Sequence, residues 1–412
     1  MNTLKKAYCR TFQFLFKMAI PLLPYRDPEV LDRVEDVPEL LKRLGRRSVL
    51  LVTDRPLRDA GVTARLEEAL EKKGIHFTVY DGVCPNPTID NIEEAVKLFR
   101  RNNCKALIGF GGGSSIDCAK AVGARIAYPR RSIEQMKGIL KIWRRIPPLI
   151  AIPTTAGTGS EVTVASIVTD TRKKHKYMLS SFPLIPHYNV LDPEVTFTLP
   201  PSLTSTTGMD ALTHAVEAYI GGSTTKKTRA LAREAVKLIF ANIETAYKDG
   251  KNYEARRNML YAANRAGLAF SISYVGYVHA VAHSLGGQYG IPHGLANSVL
   301  LPIVLEDYGE CVYKKLAELA KVAGIADRGA SDEVNAKKFI SEIKAMNRRM
   351  NIPEKLKGIR KEDIPVMAEH ADREGNPLYP VPRLMDAIEL EKYYHLVDED
   401  NGIEKQGCDP AG

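Results

Sequence analysis

The sequence predicts two units of different architecture, an α/β half built on a parallel sheet followed by an all-helical half. Three observations predict it. The chain has 412 residues, more than one ordinary hydrophobic core accommodates. Up to about residue 198, apolar runs alternate with amphipathic stretches, the grammar of strand–helix–strand units. After "LPPSLTST" the pattern turns helical, with no run of alternating β-branched residues. The expected divisions are an amphipathic extension over 1–25, an α/β domain over 26–198 and a helical domain over 199–412.

Element by element, "SVLLVTD" (48–54) reads as a buried strand followed by a helical pattern over 59–73. "HFTVYDG" (76–82) is the next strand, and 89–102 the next helix. "KALIGF" (105–110) runs into "GGGSSIDCAKAVG", a glycine turn opening a helix, and "PLIAIP" (148–153) supplies another strand. In the second half, helical patterns cover 209–220, closed by Gly221 and Gly222, then 228–247, 253–271, 311–323 and 333–350. At the N-terminus Leu4, Tyr8, Phe12, Leu15 and Ala19 fall near helical spacing. Lys17 interrupts the apolar run, and no small-residue cleavage site follows. The extension therefore reads as an amphipathic helix that docks on its own protein or on a partner.

Composition excludes several classes. No segment reaches eighteen consecutive apolar residues, which argues against a transmembrane helix. The six cysteines, at 9, 84, 104, 118, 311 and 408, have no paired spacing, which suits free thiols in a reducing cytoplasm. The net charge of +9 is spread over short pairs, and the densest run, "RKKHK" (172–176), lacks interleaved aromatics. Solvated basic faces account for it better than nucleic-acid binding.

In open parallel sheets, ligands bind beyond the carboxyl ends of the strands, where Asp54, Gly111 to Ser114 and the stretch 154–160 all fall. "GFGGGSSIDCAK" (109–120) puts glycines between a strand and a helix, so backbone N–H groups can approach an anion at a helix N-terminus. A tight turn alone does not need three consecutive glycines. The stretch is neither GxGxxG nor a Walker motif, because it lacks the lysine after the last glycine. Asp54 precedes the glycine loop, and a carboxylate there can bond ribose hydroxyls and repel a 2′-phosphate. The plainer role for an aspartate after a strand is a turn. "PTTAGTGSEVT" (153–163) is a second turn, rich in hydroxyls, that suits phosphate contacts or an ordinary surface loop.

Three of nine histidines, His279, His283 and His293, fall within "GYVHAVAHSLGGQYGIPHG" (276–294). "TGMDALTHAVEAY" (207–219) adds Asp210 and His214 at i, i+4, one helical turn apart on one face. His279 and His283 repeat that spacing. Five candidate metal ligands thus converge from three segments, and three or four suffice for a catalytic metal with an open position. HAVAH lacks the glutamate of HExxH, so a metalloprotease is disfavoured. Imidazole suits zinc, iron, copper and nickel alike. Spacing alone leaves the five equal, and any single histidine is more often a core or surface residue.

Together, "LLVTD", "VYDGVCPNPT", "GFGGGSSIDCAK", "IPTTAGTGSEVT", "GMDALTHAVEAY" and "HAVAHSLGGQYGIPHG" resemble the iron-containing, or group III, alcohol dehydrogenases. The resemblance implies a dinucleotide-binding domain joined to a helical metal-binding domain, with the active site in the cleft between them. It implies NAD and one divalent metal, Fe(II) or Zn(II), with Asp210, His214, His279 and His293 as ligands. His283 becomes the non-ligand histidine and proton relay. Gly111, Gly112, Gly113 and Ser114 hold the pyrophosphate; Asn86, Thr154, Thr155, Thr158 and Lys176 add cofactor contacts; Asp54 goes with NAD over NADP. The implied chemistry is hydride transfer between nicotinamide and a small primary alcohol, diol or aldehyde, with the metal as Lewis acid. A homodimer or larger homo-oligomer in the cytoplasm is expected. The alternatives are a dehydroquinate synthase-like lyase using the same cofactors and a non-catalytic, metal-stabilised scaffold. The chain departs from the family pattern at Ile272 and Tyr274 before the histidines, in its N-terminal extension, and in "ADREGNPLYPVPRLMD" (371–386).

Overall fold

The computed structural model describes residues 1–172 and 175–399. Lys173 and Lys174 of the basic run, and Cys408, lie outside them. The chain opens with helix α1 (Thr3–Ala19). The α/β half follows as β1 (Glu29–Leu31), α2 (Val37–Arg43), β2 (Ser48–Val52), α3 (Arg55–Asp59), α4 (Ala64–Lys72), β3 (His76–Tyr80), α5 (Ile89–Arg101), β4 (Ala106–Gly111) and α6 (Gly113–Ala127). It is completed by β5 (Gly138–Ile139), β6 (Leu149–Pro153), β7 (Ala165–Asp170), β8 (His175–Ser180) and β9 (Tyr188–Val190).

Six strands form a sheet in the order β1-β9-β6-β4-β2-β3, with every pair parallel. Strands β4 and β6 are buried at every position, as continuous apolar runs covered on both faces require. Along β2 the side chains alternate. Leu50 and Val52 join Ile92, Val96 and Val122 under α5 and α6, while Val49 and Leu51 join Leu41 and Leu66 under α2 and α4.

Several elements differ from the sequence reading. The helix expected over 59–73 begins only at Ala64, as α4; a short α3 capped by Asp54 precedes it, and Gly61 adopts a left-handed φ of 73° between the two. A second sheet, β5-β8-β7, contains an antiparallel pairing of β7 with β8 that the periodicity did not reveal. These two strands carry mixed polar and apolar residues, ASIVTD and HKYMLS, with no continuous apolar run, and the residues between them are mostly charged. Strands β1 and β9, three residues each, are too short for a period to register.

The helical half runs α7 (Pro201–Ile220), α8 (Lys226–Lys248), α9 (Tyr253–Ser273), α10 (Tyr277–Tyr289), α11 (His293–Tyr308), α12 (Tyr313–Val322), α13 (Asp332–Arg349), α14 (Ile364–Gly375) and α15 (Ala387–Val397). Helix α7 starts at Pro201 rather than at 209. Proline suits a first helical turn, and the hydroxyls of Thr204, Thr206 and Thr207 bond carbonyls four residues back, so a stretch that looks like linker is helical.

Helix α1 packs on the helical half by a face other than the expected one. Cys9, Gln13 and Ile20 are buried, while Leu4, Tyr8 and Leu15 point outward. The docked face is fixed by polar chemistry that hydropathy does not see. Gln13 donates to the carbonyls of Pro377 and Tyr379, Arg10 to those of Val381 and Pro382, and Lys5 pairs with Asp372 at 2.7 Å.

The two halves meet where the 154–163 loop presses on α7 and α9. A Cβ on Gly157 would lie 2.7 Å from Thr207 Cβ, and one on Gly159 2.7 Å from the Gly267 Cα. Gly267→Ala would set its Cβ 2.5 Å from Val162 Cγ2. This variant is expected to lose about 1–3 kcal/mol of stability through overpacking, measured by urea denaturation. An unchanged midpoint would mean the seam is not tightly packed.

Candidate metal centre and nucleotide cleft

Strand order reverses between β2 and β4, so a crevice opens at their carboxyl ends. Asp54 lies just past β2. One of its oxygens accepts the Leu57 N–H (3.0 Å) and the other the Ser115 hydroxyl (3.3 Å). It is therefore a helix cap as well as a candidate ribose contact. Strand β4 runs into Gly111, whose φ of 150° only glycine adopts readily, and Gly112 caps α6. A Cβ at Gly111 would strike Ser115 Oγ at 2.5 Å, and one at Gly113 would meet Thr158 at 3.1 Å. The bare backbone thus forms a cradle at a helix N-terminus.

Asn86, at φ 58°, donates its N–H to Ser114 Oγ (3.2 Å), which brings the "PNPT" turn to the cradle. Thr155 lies beside Gly112. Thr154 instead is buried behind the loop, its N–H bonded to the Gly111 carbonyl. Lys176 pairs with Thr169 across β7 and β8, and Thr169 donates to the Pro87 carbonyl, so Lys176 sits one strand from the same turn. Burial lowers its ammonium pKa.

Across the seam, α7 presents Asp210 and His214, α10 presents His279, and His293 opens α11. One ligand atom from each of these four lies within 4.8 Å of the others. His293 Nε2 is 3.4 Å and His279 Nε2 3.8 Å from Asp210 Oδ1, and His214 Nδ1 is 4.0 Å from Oδ2. His214 Nδ1 and His279 Nε2 are buried without any hydrogen-bond partner. Orphaned polar atoms of this kind are costly, and a cation between them would satisfy both. Burial lowers the pKa of His214, His279 and His293, the last to about 4, so their lone pairs are free at neutral pH. Three imidazoles and one carboxylate suit iron or zinc.

Three supporting residues escaped the sequence reading. Glu217 lies on the same face of α7 as His214. It accepts the N–H groups of Gly276 and Val278 (2.8 Å each) and contacts His279 Nδ1 at 2.6 Å. Burial raises its carboxyl pKa to about 7 against those donors. A proton on His279 Nδ1 leaves Nε2 for the cluster, the usual arrangement behind a metal-bound imidazole. Asn297 donates to Asp210 Oδ1 (2.6 Å). Phe270 stacks on His214 at 4.0 Å.

His283 stands apart from the four. Its ring stacks on His293 at 5.0 Å, it is 43% exposed, and its Nδ1 is 2.6 Å from Glu374, which also accepts the Tyr379 hydroxyl (2.6 Å). Burial works to lower its pKa, but the Glu374 carboxylate outweighs it and leaves the imidazole raised. Spacing left five candidates equal; the fold groups four and gives the fifth its own carboxylate. Nothing in the sequence links Glu374 to a histidine 91 residues away. The departures noted in the sequence also meet here. Tyr274, strained at φ 63°, packs edge-on to Phe16 of α1 (5.1 Å) and lies 6.4 Å from Tyr379.

A glycine cradle at a helix N-terminus, facing a carboxylate–imidazole cluster across a seam, is the arrangement expected of an enzyme that uses a nucleotide and a metal. Comparison with known proteins makes the class particular. The profile described as iron-containing alcohol dehydrogenase matches residues 31–193, and that of the Fe-containing alcohol dehydrogenase family, C-terminal, matches 204–395. The chain is 38% identical to 1,3-propanediol dehydrogenase of Klebsiella pneumoniae over 366 residues, 88% of this chain and 94% of that one. It is 39% identical to alcohol dehydrogenase 4 of Saccharomyces cerevisiae (strain YJM789) over 342 residues, 82% of this chain and 88% of the relative. The solved alcohol dehydrogenase from Oenococcus oeni superposes with a TM-score of 0.86 at 34% identity, covering 91% of this chain and all of its own (100%). The chain belongs to the iron-containing alcohol dehydrogenase family. It is an oxidoreductase acting on alcohols and aldehydes.

Glu217→Gln keeps the shape of the carboxylate and removes its charge. It is expected to weaken metal retention about 10–100-fold, measured by metal content after dialysis against a graded chelator. Retention equal to the unaltered chain would exclude Glu217 from orienting His279.

Proposed function

We propose that this chain is an NAD-dependent dehydrogenase of small primary alcohols and diols that also reduces the matching aldehydes. One divalent metal, iron(II) or zinc(II), is held by Asp210, His214, His279 and His293. The observation that carries the reading is the pair of orphaned buried ring nitrogens, His214 Nδ1 and His279 Nε2, beside the Asp210 carboxylate. The division of labour follows the seam, with 26–198 binding the dinucleotide and 199–412 the metal. The names of the Klebsiella and yeast relatives support a short alcohol or diol as substrate.

Gly111, Gly112, Gly113 and Ser114 receive the pyrophosphate on backbone N–H groups at the head of α6. Asn86, Thr154, Thr155, Thr158 and Lys176 border the same cofactor, with Thr154 acting through the backbone it fixes. Asp54 repels a 2′-phosphate and so favours NAD over NADP. Bound in these sites, the metal supplies Lewis-acid polarisation of the substrate oxygen and NAD accepts the hydride. His283 takes the alcohol proton at its exposed ring nitrogen and passes it to solvent, while Glu374 holds the other nitrogen. The five described cysteines are free thiols, which supports a cytoplasmic setting, and a homodimer or larger homo-oligomer is the proposed assembly.

The decisive experiment loads the apo-protein separately with iron(II) and zinc(II) and follows oxidation of NADH and NADPH across a panel of short aldehydes. One metal per chain and faster NADH oxidation are expected. Metal binding without any turnover would favour a scaffold, and turnover that regenerates its NAD within each cycle would favour a lyase.

The proton path has its own test. His283→Ala is expected to lower kcat about 100-fold or more at neutral pH, with metal content unchanged. Neutral His283 is the form that accepts the proton, and Glu374 raises its pKa. Glu374→Gln should therefore move the acid limb of kcat/KM for alcohol oxidation to lower pH. A limb that stays in place would remove this pair from the proton path.

A further inference from the structure

Helix α1 docks by its Cys9–Gln13 face and turns an apolar stripe outward, which nothing among the described residues covers. Its outward stripe runs Leu4, Tyr8, Leu15, Met18 and on to Leu22, at helical spacings of three, four and seven, with Phe14 beside it. These six side chains are between 61% and 86% exposed. So many large apolar groups on one short helix exceed the scattered apolar surface of an ordinary monomer. The segment also lies ahead of both stretches that match the family, which begin at residue 31.

Charge identifies what covers the stripe. Residues 1–26 hold Lys5, Lys6, Arg10, Lys17 and Arg26 and no acidic residue. Lys5 is neutralised by Asp372, whereas Arg10 bonds the Gln13 side-chain oxygen and the carbonyls of Val381 and Pro382, and Lys17 bonds the Gly222 carbonyl, none of them an anion. A second copy docking stripe to stripe would set like charges against each other.

The segment ends on a second surface of the same kind. Tyr25 packs edge-on to Phe182 at 5.0 Å, Arg26 bonds the Ile185 carbonyl, and Arg145 lies near enough to depress the Arg26 pKa after burial. The adjoining stretch 130–145 holds six cations, Arg130, Arg131, Lys137, Lys141, Arg144 and Arg145, against Glu134 alone. Trp143, the only tryptophan, is 66% exposed there, beside exposed Ile139 and Leu140. Apolar side chains ringed by cations, with tryptophan and tyrosine among them, have the composition of a surface that lies in the headgroup region of an anionic bilayer. Among the described residues no helix is long and apolar enough to cross a membrane, so α1 would lie in the plane.

We propose that the outward face of α1 and the adjoining Trp143 loop form a docking surface for an anionic lipid bilayer, and that the enzyme is held there peripherally. The full-length, metal-loaded chain is to be sedimented with vesicles of phosphatidylglycerol and phosphatidylcholine, and with phosphatidylcholine alone. Binding to the anionic vesicles is expected, weakened by salt and accompanied by a blue shift of Trp143 emission, which a single tryptophan makes unambiguous. Leu4 and Leu15 make no contribution to the core or the active site. A Leu4→Glu, Leu15→Glu double variant should therefore keep its turnover of soluble alcohols and lose about tenfold or more in vesicle affinity. Equal binding to both vesicle types, or undiminished binding by the double variant, would overturn the proposal. So would loss of a homo-oligomer in the double variant without vesicle binding by the parent, which would make the stripe a self-interface.

Discussion

A buried carboxylate between two helices keeps the helical half in register. Glu217 on α7 accepts two of the N–H groups that every helix start leaves unpaired, those of Gly276 and Val278 at the head of α10. The same carboxylate fixes the ring of His279. Helix α10 is thereby docked against the helix that carries Asp210 and His214. His283 follows one turn along α10, and His293 follows the turn after it. Removing one partner of such a buried hydrogen bond typically costs about 1–3 kcal/mol, because the other is left unsatisfied. Through this contact His279 is set against the α7 face that carries Asp210 and His214.

The nucleotide cleft and the metal cluster are not independent. The glycines of the 154–163 loop lie against α7 and α9 with no room for side chains. Gly294, next to His293, would clash with the Thr206 carbonyl at 2.5 Å if it carried a Cβ. The loop beside the cradle and the residues that face it are thus built on shared backbone contacts. Asp117 adds to this from inside α6, accepting the Ser160 hydroxyl and the Ile167 N–H, while buried Lys120 holds the Thr163 and Ala165 carbonyls.

Much of this was legible in the sequence because it depends on local spacing. The buried strands read as apolar runs, the glycine turn as a strand–helix junction, and Asp210 and His214 as one helical face. What escaped depends on contacts remote in sequence or on polar bonds. Glu217 was hidden in a quoted motif, since its role appears only when α10 starts beside it. Glu374 arrives through α14, and no periodicity connects it to His283. The docked face of α1 was misread because Gln13 and Arg10 hold it by bonding carbonyls, while the apolar stripe that the hydropathy pattern selected faces outward. The β7–β8 pairing was missed because its strands, ASIVTD and HKYMLS, mix polar and charged residues into an apolar pattern too broken to register as a strand.

Asp54 holds two structural posts besides its place in the cleft, capping α3 with one oxygen and taking the Ser115 hydroxyl with the other. If Asp54 sets coenzyme preference as proposed, a change of coenzyme would begin at this position. Such a change meets a trade-off, because alanine there gives up a cap worth about 1 kcal/mol along with the charge. Asparagine or serine keeps an acceptor for the Leu57 N–H while discarding the anion. On the proposed role, substitutions at this site that keep the cap are the small polar ones, and stability rather than charge alone limits the choice.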